Sequence, residues 1–180
     1  MDGYREYSAT MPGWMKLMTY GVTVLVGIVV PVGVAVAAQQ DTGTYWIWIF
    51  PVFMLFVFYI AYRYRPKGYR LGETSVEVLR DAGNKAIEYD NIASVKPVPA
   101  KVGFRTIGLW RSGGYFGIYG IFWRRDLGVY EMYITRADTL VQITPKSGRA
   151  LVISPDERER FLAELRDIVA ARKLEVAIEG

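Results

Sequence analysis

Between Asn91 and Arg125 the chain carries no Asp or Glu, yet it carries Lys96, Lys101, Arg105, Arg111, Arg124 and Arg125. Phe104, Trp110, Tyr115, Phe116, Tyr119, Phe122 and Trp123 are interleaved with these cations, and six glycines fall between Gly103 and Gly120. Cations spaced among aromatic rings suit a face that lies on anionic headgroups. Each Lys or Arg near such a surface contributes about 1 kcal/mol, lost beyond a Debye length. The plainer reading makes the aromatics core strands and the cations ordinary solvated positions. On the sequence alone both readings stay open.

Other chemistries are poorly supplied. The chain has no cysteine and no histidine. That excludes thiol nucleophiles, disulfides, ordinary zinc sites and imidazole acid–base catalysis. Asp126, Glu131 and Asp138 are the carboxylates nearest the basic stretch, and no pair of them has a spacing suited to shared proton transfer. The glycines form neither a Gly-Lys-Ser/Thr loop nor a G-x-G-x-x-G fingerprint, and Gly113-Gly114 suits a bulge or tight bend. Basic and aromatic residues can also grip nucleic acid. Here no RNP-like or helix-turn-helix pattern accompanies them. No enzymatic activity, cofactor, metal, small-molecule substrate or nucleic-acid partner is expected.

The elements that must position this face begin with residues 17–62. Leu17 to Gln40 holds no charge, Asp41 interrupts, and Thr42 to Tyr62 is again uncharged. As helices, Leu17–Ala38 would measure roughly 33 Å and Tyr45–Tyr62 roughly 27 Å, against a hydrocarbon core of about 30 Å. Ala35-Val36-Ala37 has the look of a signal-peptidase site. The run before it is longer than a signal core, however, and a second apolar run follows at once. Two spans are therefore expected. Arg63, Arg65, Lys67 and Arg70 come directly after the second run, and such clusters favour the cytoplasmic side. Both termini are expected in the cytoplasm, in a multi-pass protein of the inner membrane. Pro31 and Pro51 should kink the helices. Gly33 and Ala37 form a small-xxx-small pair that could bring them close.

After the break at Arg65-Pro66-Lys67-Gly68 the periodicity changes. Thr74–Arg80 and Lys85–Tyr89, joined by Asp81-Ala82-Gly83-Asn84, read as a β-hairpin. Ile92–Val98, Val129–Thr135, Thr139–Thr144 and Arg149–Ile153 read as further short strands. A helix then closes the chain. Ser154 is expected as its N-cap, Pro155 as its first residue and Glu157 as the partner in a capping box. Phe161, Leu162, Leu165, Ile168 and Val169 recur on one helical face, which must pack on the β-structure.

Four segments carry a likeness. These are Tyr89-Asp90-Asn91-Ile92 with Val95, Gly113-Gly114-Tyr115-Phe116-Gly117 with Phe122, Gly128-Val129-Tyr130 to Tyr133-Ile134-Thr135, and Gly148 to Ser154-Pro155-Asp156 with Phe161 and Leu165. Together they resemble the bacterial PH-domain family in its membrane-anchored form, over roughly residues 69–172. The resemblance implies a bent antiparallel sheet or partly open barrel closed by the C-terminal helix, and no enzymatic role. Eukaryotic relatives read phosphoinositides through a basic early loop, whereas Asp81-Ala82-Gly83-Asn84 is acidic. The expected layout is an N-terminal cytoplasmic segment (1–16), a first span (17–38) and an external turn (39–44). A second span (45–62), a basic linker (63–68), a mainly-β PH-like domain (69–172) and a tail (173–180) follow. The expected role is a non-catalytic module at the membrane face that assembles with its own copies or with other membrane proteins. The alternative is recognition of anionic lipid through residues 96–125 and the linker.

Overall fold

The computed structural model describes residues 4–38, 49–99, 107–113 and 116–179. Helix α1 (Gly13–Val24) starts behind Pro12, whose carbonyl accepts the N–H groups of Met15 and Lys16 at 3.0 and 3.1 Å. It runs into a π-helical turn, Leu25–Val29, in which the Val30 N–H reaches back to the Leu25 carbonyl, and continues as α2 (Val30–Ala38). Pro31 has no N–H to give, and its ring would strike the Gly27 carbonyl in a regular helix. One widened turn relieves both problems.

Gly13–Val36, 24 residues with few side chains buried, is long and apolar enough to cross a bilayer. Helix α3 (Ile49–Tyr64) has 16 residues, about 24 Å, and falls short of that length. The expectation of two full-length spans is corrected accordingly: among the described residues one helix qualifies, and the second apolar helix is shorter. Residues 45–48 and the expected external turn 39–44 lie outside the described residues. The helices approach at Gly27, where an added Cβ would sit 3.7 Å from Leu55 Cδ2. At Gly33 such an atom would meet nothing within 4 Å among the described residues.

The first sheet begins with a strand inside the N-terminal segment, where the sequence shows only a short polar lead. Strand β1 (Arg5–Ser8) lies antiparallel to β2 (Gly68–Leu71), with Tyr7 opposite Tyr69 and Glu6 opposite Arg70. Strands β3 (Ser75–Leu79) and β4 (Lys85–Glu88) complete it in the order β1-β2-β3-β4, and their hairpin is the one expected from the Asp81–Asn84 turn. Gly83 takes a φ of 105° there, a conformation that side chains rarely adopt.

The second sheet contains β5 (Ile92–Pro97), β6 (Ile107–Gly113), β7 (Ile118–Arg124), β8 (Gly128–Ile134), β9 (Val141–Pro145) and β10 (Ala150–Ile153). Their spatial order is β5-β9-β10-β8-β7-β6. The wholly antiparallel sheet that was expected is corrected here, because β10 runs parallel to β8. After β8 the chain steps past one strand position to lay down β9, and β10 then fills the gap between them.

Helix α4 (Arg158–Glu179) seals the main core. Phe161, Leu162, Leu165 and Val169, with Ile168 at the rim, pack on Tyr7, Tyr69, Leu71, Val76, Val78, Ile92, Ile143 and Ile153. This is the helical face that the spacing marked out. Its start is corrected, however. Ser154 is fully buried, and its Oγ accepts the N–H of Thr135 at 2.9 Å instead of capping a helix. Three residues separate Ser154 from the start of α4, and the Glu157 carbonyl accepts the Phe161 N–H at 2.9 Å. A second core gathers Phe122, Tyr130, Met132, Ile134, Leu140 and Val152 on the other face of the six-stranded sheet.

Candidate functional site

The N-terminal strand is fastened along its whole length. Tyr7 is buried, meets Phe161 edge-on at 5.0 Å between ring centres, and donates its hydroxyl to Glu164. Arg5 pairs with the same carboxylate at 2.9 Å, and Arg160 reaches its other oxygen at 3.1 Å. Three donors converging on one carboxylate hold Glu164 down at about 2, the Tyr7 hydrogen bond being the largest cause. The Ser8 carbonyl accepts the Asp156 N–H at 3.1 Å, and Thr10 donates to the Asp156 carboxylate from both its N–H and its hydroxyl. The chain leaves this anchored strand and enters α1 within five residues.

The far end of the helical region is fastened to the same domain. Tyr119 donates its hydroxyl to the carbonyl of Ala61 in α3. The Phe116 ring meets Tyr62 edge-on at 5.3 Å, and the Phe116 N–H donates to Thr19 Oγ1 in α1 at 3.4 Å. Phe116 holds a φ of 58°, the left-handed region where a bulky side chain is rare, and so carries local strain at this joint. Gly117 beside it has a φ of 128°. A Cβ on it would fall 2.8 Å from the Ile134 carbonyl oxygen and 3.7 Å from Pro66. Only glycine lets the chain entering β7 pass this close to the Ile134 carbonyl at the end of β8.

Between the two fastenings lies a cavity of about 260 Å³, lined among others by Thr10, Met11, Lys16, Thr19, Arg65 and Phe116. Among the described residues its lining contains no acidic side chain. The Arg65 guanidinium lies over the Tyr62 ring at 4.0 Å and near the Phe116 ring at 5.7 Å, and donates to the Tyr62 hydroxyl at 3.1 Å. Its Nε is buried with no hydrogen-bond partner, which is costly for a charged donor. Geometrically the cavity can accept an anion beside an aromatic wall.

The ten cations named from the sequence do not form one face. Arg63 donates to the Asp81 carbonyl at 2.9 Å, and Lys67 pairs with the Asp81 carboxylate. That pairing with Lys67 holds Asp81 below its usual value. The acidic hairpin loop therefore occupies part of the basic linker. Arg70 donates to Glu6 at 3.0 Å, tying β2 to β1. Arg124 is taken by Asp126 at 2.7 Å, whereas Arg125 and Lys96 are exposed. Arg111 lies on β6, and Lys101 and Arg105 lie outside the described residues. Strand β7 carries Arg124 about 20 Å from its start beside Gly117. Of the described cations among the ten, Arg65 and Lys67 line the cavity.

Sequence reasoning did not group Lys16 and Thr19 with them, because nothing local signals that α1 returns beside the linker. The three carboxylates weighed for acid–base work stand apart. Glu131 pairs with Lys85 at 3.0 Å, Asp138 with Arg136 at 2.7 Å and Asp126 with Arg124. Among the described residues no three acidic side chains gather where a metal could sit.

Nothing matches the chain among curated proteins, nor among solved structures. A family model does match, described as a bacterial PH domain, over residues 67–169. Its limits coincide with the folded β-domain: it opens at Lys67, one residue before β2, and closes at Val169, where α4 packs on the core. With more than half of its length in that match, the chain belongs to the bacterial PH domain family.

Proposed function

We propose that this chain is a non-catalytic, membrane-anchored interaction module. In this reading both apolar helices lie in the bilayer, and the PH-like domain sits at the cytoplasmic surface, clamped to them rather than hung on a flexible linker. One observation carries it: β1, which precedes the first apolar helix, pairs with β2, which follows the second. Two strands of one sheet must lie on the same side of a membrane. If the first helix crosses, the chain must cross again before Gly68, and α3 is the apolar element available for the return.

Further support comes from the exposed apolar surface of both helices, including Leu17, Leu25, Ile28, Val32, Phe53, Phe56 and Ile60. Soluble monomers rarely expose so large an apolar surface, and one of this extent marks contact with a partner or a lipid phase. The cationic run Arg63, Arg65, Lys67 and Arg70 favours the cytoplasmic side for the domain. The family is generally non-catalytic. A PH-like domain held rigidly against the surface presents fixed edges, β6 among them, to copies of itself or to neighbouring membrane proteins.

Recognition of lipid by the whole 96–125 stretch is the weaker reading, since Arg124 is already paired and lies far along β7. The experiment is a mass measurement of the full chain in mild detergent by light scattering. Assembly of copies predicts a mass above one chain, unchanged by Arg124→Gln with Arg125→Gln. A monomer that also takes up no neighbour after crosslinking in native membranes contradicts the reading.

A further inference from the structure

From the cavity at the joint we infer a binding site for a phosphate group of net negative charge, supplied by an anionic lipid headgroup or by a free phosphate. The inference rests on the proposed placement of this joint at the membrane surface.

Four observations meet in one place. Lys16 from α1 and Arg65 and Lys67 from the linker line the same cavity, and among the described residues no acidic side chain lines it. Arg65 lines it with a guanidinium held by the Tyr62 and Phe116 rings, and its Nε–H beneath is buried and unpartnered. An arginine fixed in this way has already lost its side-chain freedom, so an arriving oxyanion gains a charge-assisted hydrogen bond at little further ordering cost. Lys16 is exposed and has no ion-pair partner among the described residues, so its ammonium is free to close over the same ligand. Lys67 is shared with Asp81 and contributes long-range attraction rather than a free donor.

Size and shape narrow the ligand further. A cavity of about 260 Å³ is below the roughly 300–1,000 Å³ of sites for drug-sized molecules, which suits a phosphate with little attached and not a nucleotide. Met11, Tyr20 and Phe116 on its walls match the apolar neighbourhood of a lipid phosphodiester. The strained Phe116 backbone is then accounted for: its φ of 58° puts the ring against the arginine that the site needs. The acidic 81–84 loop of the domain takes no part as a ligand.

The test uses the full chain in a neutral detergent, titrated with phosphatidylglycerol, with phosphatidylcholine and with inorganic phosphate, and read by native mass spectrometry. One phosphatidylglycerol retained per chain is expected, with phosphatidylcholine not retained. Lys16→Gln should weaken retention about fivefold, the loss of one cation at a headgroup. Arg65→Gln should weaken it more, and Arg125→Gln not at all. Competition by inorganic phosphate at similar concentration would make the free ion the source, and lack of competition would make it the lipid.

Arg65 packs between two rings and its loss can disturb the fold, so the exposed Lys16→Gln variant is the decisive one. Equal retention of both lipids, or equal weakening by Arg125→Gln, or no weakening by Lys16→Gln, overturns the site. A disulfide between Glu6→Cys and Arg70→Cys, which stand directly opposite each other, reports separately on the clamp. If it forms while the lipid results fail, only this inference falls.

Discussion

Glu164 shows how much of the anchoring rests on single side chains. Tyr7, Arg5 and Arg160 all donate to it, and its pKa is pulled to about 2, against about 4.3 for a free glutamate. A carboxylate whose folded pKa is depressed adds stability that is complete above its unfolded pKa. That stability drains as pH falls towards the folded one. The attachment of β1 to α4 should therefore weaken between about pH 4.5 and pH 2, and be indifferent to pH above that window. Limited proteolysis of the N-terminal strand, followed across the window, measures this. Glu164→Gln should raise cleavage at neutral pH and flatten the acid dependence relative to the parent chain. An unchanged profile would mean that Glu164 does not hold the strand.

At the scale of elements, the joint beside Phe116 depends on how closely the chain entering β7 can pass the end of β8. Gly117→Ala adds a Cβ only 2.8 Å from the Ile134 carbonyl in a backbone conformation reserved for glycine, whereas Gly148→Ala meets nothing within 4 Å at a φ of 102°. The second substitution should cost about 1–3 kcal/mol from backbone strain alone. The first should cost more than the second and loosen the Phe116–Tyr62 contact with it. Denaturant midpoints of the two variants compare them directly.

The elements also differ in how plainly the sequence announced them. Helix α4 was legible because its apolar residues repeat on one face, and the β3–β4 hairpin because alternation flanks a compact turn. Strand β1 was not, since four residues with one buried side chain carry too little pattern, and the partner lies beyond both apolar helices. In β6 a register shift between Gly108 and Trp110 breaks the period of two that would have marked a strand. The parallel β8–β10 contact follows from the order in which strands are laid down, which no local window records. The candidate site was half legible. Arg65 and Lys67 stood in the linker cluster, but Lys16 and Thr19 join them only through the return of the chain.

At the scale of the whole molecule, a sheet made from segments on both sides of an apolar region turns a local pairing into a statement about topology. The first helix alone is compatible with a simple anchor. On the proposed reading, in which the first helix crosses, the pairing of β1 with β2 asks for an even number of crossings, and the domain is held at two points, Tyr7–Glu164 on one side and Tyr119–Ala61 on the other. Motion of the PH-like domain relative to the helices should be small, and any partner that binds it is presented to the membrane in a fixed orientation. The native chain has no cysteine, so single thiols can be placed without background. The most direct measurement is labelling of intact cells with a membrane-impermeant maleimide, using Ser8→Cys, Gln40→Cys and Glu88→Cys in turn. The account predicts reaction at position 40 alone, with positions 8 and 88 reacting only after the membrane is opened. Reaction at 8 or 88 but not both would place the two ends of one sheet on opposite sides and contradict it.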